Sequence, residues 1–380
     1  MRKQTMRPRD ERGMMLIMAG LGLVAFMSAT MLALDVGMFM VARSQAQNAA
    51  DAGALAGAVA LVFDDYEDKS AGGPAVQNAI AAAKAGANGV MDKAVSVNPD
   101  DVTFPTPDRV HVKVYRTKGR GNPLLPFLAP MFGIDEVDLG AEATAEAAPA
   151  NAMTCVKPFT IPDKWIERQD PPWDPDDTFD VVDDKGRPVA NPDVYIPITD
   201  PVGYTGYNAE RDRGTRVVIK AANGNNLYPS FYFPYSMGEV TGAEEYSWNI
   251  ANCNQTMMEY GERLMAEPGN MVGPTQQGIA DLIALDPDAH WDPVNNKVVS
   301  DMHPSPRVVP IPVFDPEVYD TGKRNGRNAD LTTANYIGIF IEGMQGNDVI
   351  ARITPVSGIL DGDAGPAPAG AFPRAIVLVK

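Results

Sequence analysis

Residues 14–34 read MMLIMAGLGLVAFMSATMLAL, 21 positions without one charged side chain. As a helix rising 1.5 Å per residue the stretch is about 31 Å long, which matches a hydrocarbon core of about 30 Å. Arg2, Lys3, Arg7, Arg9 and Arg12 precede it, against Asp10 and Glu11. Asp35 follows, then Arg43, then an acidic run at Asp64, Asp65, Glu67 and Asp68. Basic residues stay on the cytoplasmic side of a span, so the N-terminus is expected inside and the body outside. A cleaved signal peptide is the main rival, but its apolar region normally spans about 7–15 residues and ends at a small-residue cleavage site. Here the run is longer and passes without a break into a further helical pattern, so an uncleaved anchor is expected.

That pattern is ARSQAQNAADAGALAGAVAL over residues 42–61, with no proline. Ala46, Ala50, Gly53 and Gly57 form a stripe of small residues on one helix face. Each glycine costs about 1 kcal/mol relative to alanine in a helix, so close packing is expected to offset it. Packing on the protein's own sheet is preferred here to an intermolecular interface. The helix is read as a stalk continuous with the membrane span.

These residues carry a family resemblance. Glu11-Arg12-Gly13, the apolar run, Asp35-Val36-Gly37, Gln45–Ala52 (QAQNAADA) and Ala54–Ala58 (ALAGA) resemble the N-terminal module of the TadG-like (TadE/TadG-like) Flp pilus assembly proteins. Phe132-Gly133-Ile134, Ala141–Ala147 and Pro268–Thr275 resemble the family more loosely. The resemblance implies a non-enzymatic, membrane-anchored periplasmic component of a tight-adherence (Tad) secretion and pilus system. Its partners would be other Flp/Tad proteins and the bacterial inner membrane. Some relatives carry a D-x-S-x-S metal site for adhesion; none occurs here, so metal-dependent adhesion is not implied. A type IV prepilin is a related possibility, since Gly13 precedes the apolar run. Prepilins carry Glu at the fifth apolar position, where this chain has Met18, which argues against processing and polymerisation.

Downstream, residues 75–95 read as an alanine-rich helix. Arg109–Arg116 (RVHVKVYR) alternates, with Val110, Val112 and Val114 on one face, and residues 137–147 alternate too. Between them Leu124–Phe132 is apolar and punctuated by Pro123, Pro126 and Pro130. Helices covering two or three antiparallel strands make a small pilin-like α+β module. Ala147–Ala152 (AAPANA) reads as a boundary. Beyond it strand signals recur at residues 215–220, 227–233, 307–314, 336–342, 349–353 and 375–379, the fourth and fifth as a hairpin across Gly343–Asp348. Helices are expected near Gln255–Ala266 and Gln276–Leu285, with Thr275 as N-cap of the second.

The fold class is therefore α+β: a long transmembrane and stalk helix on a small antiparallel sheet, then a β-rich periplasmic domain. The expected divisions are a cytoplasmic head at 1–13, a span at 14–34, a pilin-like module at 35–150 and a β-rich domain at 151–380.

Composition supports folding and narrows function. The chain of 380 residues is 45% apolar and 21% charged, which suits globular domains rather than disorder. Its net charge of −17 argues against a nucleic-acid binder, which needs a basic face. Residues 1–43 carry net +3 and the rest −20, a basic head on an acidic body.

Cys155 and Cys253 both lie past the span, where a disulfide is chemically permitted. It would close a loop of about 100 residues, worth about 4–5 kcal/mol. Two buried free thiols are the alternative reading.

Motifs for catalysis are absent. His111 alternates outward and reads as a solvated strand residue. His290 and His303 lie near Asp288, Asp292 and Asp301 without metal-ligand spacing. Asp174, Asp176, Asp177, Asp361 and Asp363 form acidic turns that could bind Ca²⁺ but lack the ligand count of an EF-hand loop, and solvated turns are the preferred reading. Tyr228–Tyr235 (YPSFYFPY) is either an exposed binding patch or core, and core is preferred because a large exposed apolar patch is unusual. No cofactor and no catalytic residue is expected. The competing class is an envelope hydrolase or carbohydrate-binding protein sharing the anchor, for which a cleft gathering His290, His303 and acids would speak.

Overall fold

The computed structural model describes residues 12–64, 67–174, 177–183, 185–200, 203–221, 227–237, 241–302, 304–324 and 331–379. The expected cytoplasmic head, except Arg12 and Gly13, and also Asp65, Asp176 and His303, lie outside the described residues. The chain forms two compact units, one of residues 1–57, 69–145 and 378–380, the other of 58–68 and 146–377.

The first unit is built on α1 (Arg12–Phe63), 52 residues in one unbroken helix. Past residue 41 alanine and glycine turn inward: Ala42, Ala46, Ala49, Ala50 and Ala54 are fully or almost fully buried. Against them lies α2 (Pro74–Lys84), which starts on a proline at its first turn and buries Ala75, Val76, Ala79 and Ala83. The sequence reading carried this helix to residue 95. It stops at Lys84 because Gly86 and Gly89 bracket a short 3₁₀ turn, and Asn88 turns its side-chain amide back onto the Ala82 carbonyl at 2.8 Å.

Strand β1 (Val102–Thr103) pairs antiparallel with β2 (Arg109–Arg116). The alternation predicted for β2 places Val110, Val112 and Val114 in the core. Arg116 shares their parity and is buried with them, its guanidinium donating to the carbonyls of Val90, Asn122 and Pro123. Next to β2 runs β3 (Leu139–Pro149), burying Ala143, Ala145 and Ala147. His111, expected to be solvated, is mostly covered, its side chain 20% exposed. Its Nδ1 lies 2.9 Å from Thr144 Oγ1 and its Nε2 3.6 Å from Glu142.

The helix glycines explain how closely these elements approach. A Cβ built on Gly57 would lie 2.7 Å from Val110 Cγ1 and 3.2 Å from the Ala75 carbonyl. On Gly53 it would lie 3.0 Å from the Ala79 carbonyl and 3.2 Å from Val112 Cγ1. Gly57→Val is therefore expected to destabilise this unit by about 2–3 kcal/mol, overpacking outweighing any gain in helix propensity. Gly37→Ala, whose Cβ would meet nothing within 4 Å, is the control. Thermal unfolding followed by circular dichroism checks both; equal melting temperatures would refute the packing argument.

The second unit begins with β4 (Ala152–Met153), β5 (Phe159–Pro162), β6 (Arg216–Ala221) and β7 (Phe231–Ser236). Then come α3 (Ala243–Ala251), β8 (Met258–Glu259), β9 (Arg263–Ala266) and α4 (Val272–Ala284). After the small hairpin of β10 (His290–Asp292) and β11 (Lys297–Val299) lie β12 (Val308–Phe314), α5 (Pro316–Arg324), β13 (Leu331–Gln345), β14 (Asp348–Ile353) and β15 (Arg374–Val379).

The main sheet runs β12-β5-β7-β6-β14-β13-β9, and β12 also pairs with β13. The pairings therefore close a circuit of strands, which removes the open edges of the large sheet. Within it sit Ile161, Ile219, Ile311, Val313, Ile337, Ile339 and Ile353, all at 2% exposure or less. The hairpin expected between residues 336 and 353 is β13–β14, tightened to a turn at Gly346-Asn347 with Gly346 at φ 63°.

Several helix and strand boundaries differ from the sequence reading. The helix expected at Gln255–Ala266 is absent; that segment is extended and carries β8 and β9. Gly261 at φ 79° breaks any helix there, and the helix lies earlier, at α3, whose first turn holds Glu244 and Glu245. Thr275 is not an N-cap. It lies inside α4, whose N-cap is Met271, and its hydroxyl donates to the Met271 carbonyl at 2.8 Å. The strand expected at 227–233 starts later, because residues 228–231 form a turn. Of the aromatic stretch, Phe231, Tyr232 and Tyr235 are core, and Phe231 and Phe233 pack edge-on against Tyr319 and Phe314.

Candidate functional site

α1 changes character along its length. From Met14 to Leu34 most of its large side chains are bare: Leu16 is 78% exposed and Phe26 72%. Among the described residues α1 is the one helix long and apolar enough to cross a membrane, and none of its most apolar window is buried. A core helix of a soluble protein would be covered.

Ala46, Ala50, Gly53 and Gly57 are all buried, and Gly53 and Gly57 lie against α2 and β2. The polar residues of the same stretch tie the helix down. Gln45 accepts from the Met91 amide at 3.0 Å, and Gln47 donates to Asp51 at 2.8 Å and to the Glu142 carbonyl at 3.0 Å.

The change occurs at Asp35, which is 3% exposed. Its carboxylate accepts the backbone amides of Phe127 (2.9 Å), Leu128 (3.1 Å) and Ala129 (2.6 Å). Three successive amides converging on one carboxylate make an anion nest, so the acid is satisfied without water. In the sequence Asp35 reads as the end of the apolar run and as part of the Asp35-Val36-Gly37 motif, neither of which points to a buried carboxylate. Its partner segment was visible as a proline-punctuated apolar stretch, but nothing in the sequence joined the two.

The second unit gathers buried polar groups. Asp163, fully buried, accepts from Tyr204 Oη (2.7 Å), Tyr195 Oη (3.0 Å), the Tyr207 amide (3.0 Å) and the Lys164 amide (2.9 Å). Burial outweighs these donors and pushes its pKa up to about 6. The group ties together residues 163–164, 195, 204 and 207 within the second unit.

This burial has a pH signature. Between the usual 3.8 and about 6 the folded state keeps a proton that the unfolded chain has released. The contribution to stability is thus full below that window and is lost as pH rises through it, by about 2–3 kcal/mol. Asp163→Asn should flatten that decline. Urea midpoints at pH 4.5 and 7 test it, and parallel pH slopes in both proteins would refute it.

Cys155 and Cys253 are joined, their Cα atoms 4.2 Å apart. Beside them Lys157, 2% exposed, donates to the carbonyls of Asn249 (3.3 Å) and Asn252 (2.6 Å) at the C-terminal end of α3. Burial lowers its pKa to about 8.

His290 is exposed at the start of β10, with Nδ1 3.0 Å from the Asp288 carbonyl. Asp361 and Asp363 form a turn, the Asp363 amide donating to Asp361 at 3.2 Å; the Asp174 amide is bonded likewise to Asp177. Among the described residues no group of three or more His, Cys, Asp or Glu could hold a metal.

A cleft of about 300 Å³ opens in the second unit beside Asp64, Glu67, Glu210, Arg213, Asn296 and Arg374. Arg213 there donates to the carbonyls of Phe63 (2.6 Å), Asp64 (2.8 Å) and Asn296 (3.0 Å). It supplies the cation at the C-terminal end of α1 that the helix's own last turn lacks.

Residues 13–60 match the Tad family, described as Flp pilus-assembly TadE/G-like. The match covers α1 from its second residue almost to its end; the rest of the chain lies outside it. No curated protein and no solved structure matches the chain.

Proposed function

We infer, from the Tad family match of residues 13–60, that this chain serves Flp pilus assembly and tight-adherence secretion as a membrane-anchored component acting through protein contacts. The observation that carries the reading is α1 itself. One unbroken helix holds both the uncovered apolar half and the half that packs into a folded unit, and the family match spans both. On this reading residues 14–34 cross the inner membrane once. The basic N-terminus lies in the cytoplasm, and residues 35–380 fold in the periplasm.

Helix continuity favours a retained anchor. Cleavage after residue 34 would leave Asp35 at a frayed helix start, while its position under the segment 127–129 requires an ordered helix there. Contacts with other Flp/Tad proteins are the working mode.

The experiment is crosslinking in intact membranes of the native host, followed by mass spectrometry. Recovery of pilus-assembly components with the full chain, and their loss when residues 14–63 are replaced by an unrelated anchor, is the expected result. Recovery of none would overturn the reading. Intact mass settles the pilin alternative: a chain starting at Met1 is the expected finding, and one starting at Met14 would point to a processed subunit.

A further inference from the structure

The segment that Asp35 holds presents its own apolar side chains outward. Leu125 is 57% exposed, Phe127 77%, Met131 71% and Ile134 50%. Four large apolar residues within ten positions are more than a soluble surface ordinarily leaves bare.

Their depth is fixed. Asp35 is the first residue past the apolar run, and its carboxylate bonds directly to residues 127–129, so the segment lies beside α1 where the helix leaves the hydrocarbon. The bare apolar surface of α1 continues to the same level, with Val36 40%, Met40 70% and Val41 53% exposed.

The segment's backbone is also suited to a poorly hydrated setting, where an unpaired amide is costly. Pro123, Pro126 and Pro130 have no amide hydrogen. Amides 127–129 go to Asp35. The amides of Leu124, Met131, Gly133 and Ile134 bond to the carbonyls of Val137, Leu128, Pro130 and Ala129. In turn the segment covers a carboxylate that would otherwise face the edge of the bilayer.

We propose that Leu125–Ile134 is a second membrane contact, an interfacial wedge that places Leu125, Phe127, Met131 and Ile134 at the headgroup–acyl boundary of the bilayer that α1 spans, with Asp35 as its clamp. Apolar side chains at this depth act as interfacial helices do, burying area without crossing. The wedge sets the tilt and height of the first unit on the membrane. Asp135 and Glu136, which follow it, mark the return to water.

The inference rests on α1 spanning a bilayer, and its test separates the two. The full chain is reconstituted in phosphatidylcholine vesicles with one nitroxide label on Phe127→Cys, Met131→Cys, Leu23→Cys or Lys113→Cys, the unsubstituted chain serving as labelling blank. Relative accessibility to oxygen and to a water-soluble nickel chelate is read by electron spin resonance. The expected result is severalfold preference for oxygen at 23, 127 and 131, and preference for nickel at 113. Adding Asp35→Ala should move position 127 toward nickel while 23 stays embedded. If 23 is embedded but 127 behaves like 113, the wedge is refuted and the span stands. If 127 is shielded from both reagents, a protein covers it, and the wedge is refuted in favour of a protein contact. If 23 itself is aqueous, the span fails, and the wedge with it.

Discussion

Arg307→Lys is expected to destabilise the second unit by about 3–5 kcal/mol, although it conserves charge and near-equal length. Arg307 is 3% exposed and its five N–H bonds all find carbonyls. Nε and Nη2 donate to Ile341 at 3.0 and 2.8 Å, Nη2 also to Glu342 at 2.9 Å, and Nη1 to Asp286 at 3.1 Å and Ala289 at 2.8 Å. The guanidinium also lies over the Phe340 ring, 4.9 Å from its centroid. It thereby fastens the end of α4 and the β10 hairpin to β13. An ammonium has three donors on a flexible stem and cannot reach four carbonyls at once. Each buried acceptor left without a partner costs about 1–3 kcal/mol. Trp291, which packs with Ala289 and Phe340, reports the change by fluorescence during urea unfolding. A loss below about 1 kcal/mol would show that this network does not hold the unit.

The second large effect concerns Cys155 and Cys253, 98 positions apart. Cross-linking across a loop of that length restricts the unfolded chain and is worth about 4–5 kcal/mol in the chain-entropy account. The loop contains β5, β6, β7 and α3, so three strands of the closed circuit depend on it. Cys155→Ser with Cys253→Ser should lower the urea midpoint strongly. Reductant should lower the midpoint of the unsubstituted protein to nearly the same value and leave the double variant unchanged. If reductant has no effect and two thiols titrate in the native protein, the pair is free and the prediction fails.

What the sequence made legible follows from the range of the forces involved. The apolar run 14–34 and the stripe at Ala46, Ala50, Gly53 and Gly57 are local patterns with fixed periods, and α1 follows them. Val110, Val112 and Val114 are core for the same reason: one face of a short strand is decided by alternation alone. Arg116 shows the limit. It shares the valines' parity, but no local pattern announces the carbonyls of Val90, Asn122 and Pro123 that let a guanidinium be buried there.

Closure of the large sheet was not legible. It depends on β5 meeting β12, with Val313 opposite Ile161, and no local pattern announces so distant a pairing. The helix expected at Gln255–Ala266 failed because Gly261 sits in the left-handed region and Leu264 serves as a buried strand residue. Asp35 was the least legible of all. An acid after an apolar run reads as the end of a span, whereas here it holds a segment 92 positions further on.

On the proposed function α1 is at once the anchor and the packing helix of an exported body. Protease added to intact spheroplasts, with epitopes at Met1 and Lys380, tests this most directly. The protein is expected to sediment with membranes and to resist alkaline extraction. The C-terminal epitope is expected to be lost to external protease while a short N-terminal fragment carrying Met1 and the span survives until lysis. A C-terminal epitope protected in intact spheroplasts, or a soluble body that has lost Met1, would contradict the proposed function.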